Sequence, residues 1–259
     1  MNKFLIKILM VCGLVSSPAL ADDMGIDDPS RNAYYEALQG KNVVFVPVAL
    51  GFDLTDGWYA GMKAELEPLG VNMQVRDPNW SADAGARAIS SLIGEKPDLI
   101  VVHNPDVQTY AKLLKKAEKR DIHVVQINMK SAYSTDAFVG ADYIEIGELA
   151  GQAIVDNCGD GTSGEVAIVQ GVLTAAASAY QLRGVANVLS KHPSIKIVSN
   201  QAADWDSSKA RTITETTLQQ NPNLCGIIGF WDGMDVGVGA AVQEAGKADD
   251  VFVVTSGGG

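Results

Sequence analysis

The chain has 259 residues, of which 47% are hydrophobic and 20% are charged, a balance typical of a globular protein. Its formal net charge of −11 argues against nucleic acid and anionic lipid surfaces as partners. A neutral or cationic small ligand is easier to reconcile with this acidity.

The first 21 residues have the pattern of a cleavable signal peptide. Lys3 and Lys7 precede an apolar run at 8–15, and Ala19 and Ala21 supply the small residues that a signal peptidase needs. The run is shorter than the roughly 20 residues of a membrane span. The sequence therefore predicts export to the periplasm with cleavage after Ala21. The mature chain would have 259 − 21 = 238 residues and a charge of 18 − 31 = −13.

The rest of the chain alternates between strand and helix patterns. We interpret residues 22–39 as an N-terminal extension, and the length beyond it suits two lobes. Apolar, β-branched runs indicate buried parallel strands that begin near Val43, Val71, Leu99 and Val124 and again near Val166, Ile195, Gly226 and Val251. A shorter strand is predicted at 137–140. Helices are predicted at 58–69, 84–93, between Asp106 and Arg120, and at 144–155, 175–189, 207–220 and 234–244.

This order predicts an α/β fold with two doubly wound parallel-sheet lobes joined by a hinge. We place the first lobe at 40–141 and the second at 142–259. The two lobes have the same alternation of strands and helices at similar spacing, but their residues do not match. The same architecture is therefore used twice without a sequence repeat.

Two of the three cysteines survive the predicted cleavage. Cys12 lies in the apolar run after Val11 rather than after a small residue, so we interpret it as part of the removed peptide and not as a lipid-attachment site. Cys158 and Cys225 would reach an oxidising compartment, where a disulfide is plausible. The alternative is a pair of buried free thiols.

In open α/β sheets, ligands bind outside the carboxyl ends of the strands. Three of the four tryptophans follow strand ends, namely Trp80, Trp205 and Trp231. An aromatic face beside carboxylates and amides suits a ligand that carries both hydroxyls and an apolar ring face. Other candidates at these ends are Phe52, Asp53, Asn104 and Asp232. The plainer alternatives are that strand-end aromatics cover the core and that Asp232 caps a helix.

From about residue 42 onward the chain resembles the type I periplasmic solute-binding proteins of sugar ABC transporters, the ribose and galactose-binding class. The resemblance rests on the order of elements and on four short stretches: Gln170-Gly171, Arg183-Gly184, Gln201 to Asp206, and Asp232-Gly233-Met234. It implies that Trp205 stacks on a sugar ring and that Gln181 reaches the hydroxyls. It also places Asn128 and Trp231 in the binding cleft.

Several positions depart from the family pattern. An amide, Asn128, stands where the family commonly has an acidic residue, Met129 or Lys130 stands in place of arginine, and Gln181 occupies another position where arginine is usual. The acidic residue expected after the last strand is replaced by Gly257. These departures bear on the identity of the ligand more than on the fold.

The resemblance implies a monomer that binds a small sugar or polyol and delivers it to an ABC permease in the inner membrane, without enzymatic activity or a cofactor. The three histidines are spaced for no metal site. A periplasmic sensor subunit for a membrane kinase or chemoreceptor is one alternative. A carbohydrate-active hydrolase that uses Asp204, Asp206 and Asp232 is another, less favoured one. The family pattern also predicts further C-terminal segments after the strand near Val251.

Overall fold

The structure is a computed structural model that describes residues 30–257. The predicted signal peptide at 1–21 lies outside the described residues, so its cleavage stays a prediction. The described residues divide into a first unit, 30–37, and a second unit, 38–257. Helix α1 (Ser30–Leu38) lies within residues 22–39, which the sequence indicates as an N-terminal extension. Within residues 30–257, no helix is both long enough and apolar enough to span a bilayer.

The second unit contains two parallel sheets. The first sheet has the strand order β2-β1-β3-β4-β5 and the second has the order β7-β6-β8-β9. The strands are β1 (Asn42–Val46), β2 (Asn72–Val75), β3 (Leu99–Val102), β4 (His123–Ile127), β5 (Ala137–Val139), β6 (Glu165–Gln170), β7 (Lys196–Ala202), β8 (Gly226–Gly229) and β9 (Phe252–Val254). The helices are α2 (Asp53–Leu66), α3 (Ala82–Glu95), α4 (Ala111–Glu118), α5 (Tyr143–Cys158), α6 (Ala176–Leu189), α7 (Ser207–Gln220) and α8 (Asp232–Glu244). This confirms the predicted α/β class, while the boundary between residues 141 and 142 stays a prediction.

Each sheet is covered by helices on both faces. Alternate residues of β1 point to opposite sides, so Val44 joins a core with α3 and α4 while Phe45 joins a core on the other face, against which Trp58 of α2 packs. In the second sheet, Ile168 packs into a core with α5 and α6, and Val169 packs into one with α7 and α8. Burial on both faces explains why these strands read as continuous apolar runs rather than as alternating ones.

A disulfide joins the last residue of α5 to the residue before β8. Cys158 and Cys225 are bonded and are separated by 67 residues in the sequence. The link ties a helix to the strand beneath it, since Ile154 of α5 and Ile228 of β8 pack in one core cluster. The predicted bridge is confirmed.

One helix starts later than the sequence indicates. We expected a helix directly after Asp106, but α4 begins at Ala111. The Asp106 carboxylate accepts hydrogen bonds from the backbone N–H groups of Gln108 and Thr109, both at 2.7 Å. Such a local bond holds the chain in a turn that competes with helix formation, so the helix starts after the turn.

Candidate functional site

A cavity of about 280 Å³ lies where the carboxyl ends of the two sheets face each other. Five of the sequence-predicted site residues contribute to its wall: Phe52, Trp80, Asn128, Trp205 and Trp231. Phe52, Trp80 and Asn128 follow strands of the first sheet, and Trp205 and Trp231 follow strands of the second. The cavity therefore has walls from both sheets, as the strand-end rule predicts.

Four aromatic side chains form a continuous row along this wall. The Trp80 and Phe52 rings are stacked, with centroids 5.3 Å apart and planes at 23°. Phe52 meets Trp231 edge-on at 6.0 Å, and Trp231 meets Trp205 edge-on at 6.2 Å. The contact between Phe52 and Trp231 joins the two sheets. We call Trp80, Phe52, Trp231 and Trp205 the aromatic row.

Two members of the row sit in matching backbone turns. Asn79 and Trp80 have φ angles of 48° and 65°, and Asp204 and Trp205 have φ angles of 53° and 64°. Two successive positive φ values are the mark of a type I′ turn. Tryptophan rarely adopts this left-handed conformation, because its β-carbon crowds the backbone. Each turn is therefore held in place by contacts around it.

Hydrogen bonds close both turns and start the next helix. The Ser81 N–H donates to the Pro78 carbonyl at 3.0 Å, and the Asp206 N–H donates to the Ala203 carbonyl at 2.9 Å. Ser81 and Asp206 are then the N-cap residues of α3 and α7, since their side chains accept from backbone N–H groups three residues later. The same turn and cap thus position one tryptophan at each sheet.

The Trp205 ring rests directly on the backbone of Gly171. A β-carbon placed on Gly171 would lie 2.2 Å from three atoms of the indole ring, so only glycine allows this approach. Trp205 also packs against the core clusters on both faces of the second sheet. Trp205 therefore both packs in the core and lines the cavity. Covering the core and contacting a ligand, which the sequence offered as alternatives, are compatible roles for this side chain.

Three polar side chains in the wall form a hydrogen-bonded chain. The Tyr143 hydroxyl donates to Oδ1 of Asn128, which fixes the amide so that its Nδ2 faces Nε2 of His103 at 3.3 Å. Burial lowers the pKa of His103 to about 3, so the imidazole is neutral. Nε2 then accepts from the amide, and the ring proton sits on Nδ1, which is buried without a partner among the described residues.

Two predicted site residues support the wall from behind. Asn104 is fully buried and donates to Oε1 of Gln126 and to the carbonyl of Met129, both at 2.9 Å. Gln181 is 1% exposed, and its Nε2 donates to the carbonyl of Phe230 at 3.1 Å. Each amide therefore donates a hydrogen bond to a backbone carbonyl of a residue in the cavity wall. Their role as direct ligand contacts stays a prediction.

Two predicted acidic residues also lie off the cavity wall. Asp53 is the first residue of α2 and is exposed. Asp232 is the first residue of α8, and its Oδ1 accepts from the Gly233 N–H at 2.8 Å. Each carboxylate is at the positive end of a helix dipole, which stabilises it there. Their contribution to binding stays a prediction.

Two polar residues of the wall, His103 and Tyr143, are not among the sequence-predicted ligand contacts. His103 directly follows β3, so the strand-end rule places it at this edge of the sheet but does not identify it as a contact. Tyr143 begins α5 after an irregular stretch, and nothing in the sequence indicates that it reaches Asn128. No group of three or more His, Cys, Asp or Glu side chains in the described part of the chain is arranged to hold a metal ion.

Comparison with known proteins gives a consistent result. The family model described as "Periplasmic binding protein domain" matches residues 43–259. The D-allose-binding periplasmic protein of Escherichia coli is 35% identical over 55% of this chain, which spans 48% of that relative's length. A galactofuranose-binding protein of the same organism is 26% identical to this chain. The match covers 85% of this chain and 73% of the length of that relative.

A solved structure shares the fold. A Mycobacterium smegmatis protein in complex with β-D-fucofuranose has a TM-score of 0.76 and 25% identity, with 83% of this chain and 73% of that chain covered.

Proposed function

The chain belongs to the periplasmic binding protein family, and we propose that it binds a small sugar or polyol in the cavity between its two sheets. We further propose that it acts after export to the periplasm and delivers the ligand to an ABC permease, without chemical turnover. The relatives named above are binding proteins for sugars. Binding alone therefore accounts for the site without a catalytic step.

The aromatic row is the observation that carries this proposal. Sugars present CH faces that pack against aromatic rings, and the indole N–H can bind a hydroxyl at the ring edge. Phe52 and Trp231 belong to different sheets and touch at 6.0 Å between centroids. A ligand among these rings would contact both sheets together.

Contacts between the two sides of the cavity suggest how binding would be signalled. The Val107 N–H, after β3, donates to the Thr174 carbonyl, after β6, at 3.1 Å. Lys130 Nζ lies 5.2 Å from the centroid of the Tyr180 ring. A buried apolar cluster packs across the same junction, with Val48 and Met129 on one side and Ala175, Ala176 and Ala177 on the other. A ligand that touches both walls favours the closed state by its differential affinity, and a permease could recognise that state.

A thermal-shift panel of sugars and polyols tests the proposal. A true ligand at 100 times its dissociation constant should stabilise the protein by about 2.7 kcal/mol. The Phe52→Leu variant should lose most of this shift, because Phe52 lies in the cavity wall. Phe138→Leu is the matched control, since Phe138 lies on β5 outside that wall.

Two results would contradict the proposal. One is a panel in which no sugar or polyol raises the melting temperature. The other is a Phe52→Leu protein that keeps the full shift while Phe138→Leu loses it. Chromogenic glycosides are added to the same panel, and their turnover would contradict a purely binding role.

A further inference from the structure

Asp106 supplies the one carboxylate that the described residues place in the cavity wall, and the protein already engages it. Oδ1 of Asp106 accepts from the backbone N–H groups of Gln108 and Thr109, and Oδ2 accepts from the Thr109 hydroxyl. A carboxylate that serves a turn in this way has little capacity left for sugar hydroxyls. No Lys or Arg of the described residues lies in the wall.

The neutral polar groups of the wall are largely engaged as well. Oδ1 of Asn128 accepts from Tyr143, and its Nδ2 faces His103. The Ser81 hydroxyl accepts from the Ala84 N–H at 3.2 Å as a helix cap. What remains for a ligand is a small set of neutral groups, namely the Tyr110 hydroxyl and the indole N–H groups of the aromatic row.

The rest of the wall is apolar. Beside the aromatic row it includes Val48, Leu54, Met129, Val172 and Ala177. A buried hydroxyl that faces such side chains loses its bonds to water and gains none from the protein. A methyl group in the same place is favoured instead, because its burial removes apolar surface from water.

We propose that this cavity selects a deoxy sugar, in which a hydroxyl of the common sugar is replaced by hydrogen so that a methyl or methylene group faces the apolar wall. The inference rests on the proposed function, because it names the ligand class of the same site. It follows from the supply of hydrogen-bonding groups in the wall, which is too small for a fully hydroxylated sugar.

Matched sugar pairs test this selectivity on the full chain. The pairs are D-galactose with D-fucose, L-galactose with L-fucose, and L-mannose with L-rhamnose, where the second member lacks one hydroxyl. Isothermal titration should show that the deoxy member of at least one pair binds about tenfold more tightly than its partner, which corresponds to about 1.4 kcal/mol.

A pair of isosteric variants links the preference to the wall. Val172→Thr adds a hydroxyl to the cavity, and it should reduce the preference for the deoxy member. Val236→Thr makes the same change on α8, where Val236 is 65% exposed, and it should leave the preference intact.

The outcomes separate the two proposals. If sugars bind but the hydroxylated member of every pair binds as tightly or more tightly, the selectivity is wrong and the sugar-binding function stands. If Val172→Thr and Val236→Thr keep the same deoxy preference, the wall is not its source and the inference also fails. If no sugar of any pair binds while another sugar or polyol of the thermal-shift panel does, the selectivity is wrong and the proposed function stands. If nothing in the panel binds, both are overturned.

Discussion

The substitution Gly171→Ala should weaken sugar binding by moving the Trp205 ring. Gly171 follows β6, and an added β-carbon would lie 2.2 Å from three ring atoms. That separation is far inside van der Waals contact, so the ring has to leave its place. The backbone of Gly171 is outside the left-handed region, so alanine can adopt it without strain. The effect is therefore steric and acts through Trp205.

The size of the effect follows from the contacts that the ring would lose. An aromatic face against a sugar is worth about 1–3 kcal/mol by buried area, which is a loss of about tenfold or more in affinity. Overpacking should also lower the free energy of unfolding by about 1–3 kcal/mol. Titration calorimetry with the sugar that gives the largest thermal shift measures the first quantity, and urea unfolding measures the second. Truncating Trp205 would be less informative, because its loss also opens the core.

A control and a double-mutant cycle identify the cause. Gly94→Ala makes the same change on α3, where the new β-carbon has nothing within 4 Å apart from the adjoining residues and the helix's own backbone. It should keep the affinity and stabilise the helix by about 0.5–1 kcal/mol. In a Trp205→Leu background, Gly171→Ala should have little further effect on binding. If Gly171→Ala lowers the sugar affinity equally in that background, Trp205 does not transmit the effect. Normal sugar binding by a folded Gly171→Ala protein would refute the prediction itself.

Three further predictions follow from other parts of the structure. Replacing Cys158 and Cys225 together by serine should lower the free energy of unfolding by about 4 kcal/mol, since the bridge spans 67 residues; urea unfolding that matches the parent would contradict this. Burial raises the pKa of Asp235 to about 7, above its unfolded value of about 3.9, so the folded state keeps a proton that the unfolded state loses. The free energy of unfolding should therefore fall between about pH 4 and pH 7, and Asp235→Asn should flatten this slope in urea titrations at several pH values; an unchanged slope would count against it. Asn128→Leu should weaken sugar binding about tenfold or more, because Tyr143 and His103 lose the amide that both of them contact. Calorimetry that shows the parental affinity would exclude a role of Asn128 in binding.

The strands and several helix starts could be predicted from the sequence because the signals are local. The β-branched run at β1 has no polar interruption, and its burial on both faces accounts for that. Helix α7 spans Ser207–Gln220 as predicted, since Asp206 is a strong N-cap. The late start of α4 was missed because a short side-chain turn at Asp106 has the same sequence signal as a helix cap.

The candidate site was only partly predictable, because side-chain direction depends on packing between elements. Trp205 and Trp231 could be placed at the cavity from their positions after strands. Gln181 could not be placed behind the wall from sequence, because that depends on the close contact of α5 and α6. A β-carbon on Gly147 of α5 would lie 2.1 Å from the carbonyl of Gln181, so this glycine brings the helices together. Such long-range contacts leave no local signal.

The two sheets place a tryptophan at the same point although their sequences do not repeat. Strand β2 lies beside β1 at one edge of the first sheet, and β7 lies beside β6 at one edge of the second. Each strand leads into a left-handed turn that carries Trp80 or Trp205 to the cavity. A non-glycine residue in this conformation costs about 1–3 kcal/mol, and it persists only where its surroundings hold it. The closing hydrogen bonds and helix caps provide that support at both turns. Topology thus builds a two-sided aromatic surface from unrelated residues, and the rigid turns keep its outer rings in position before a ligand arrives.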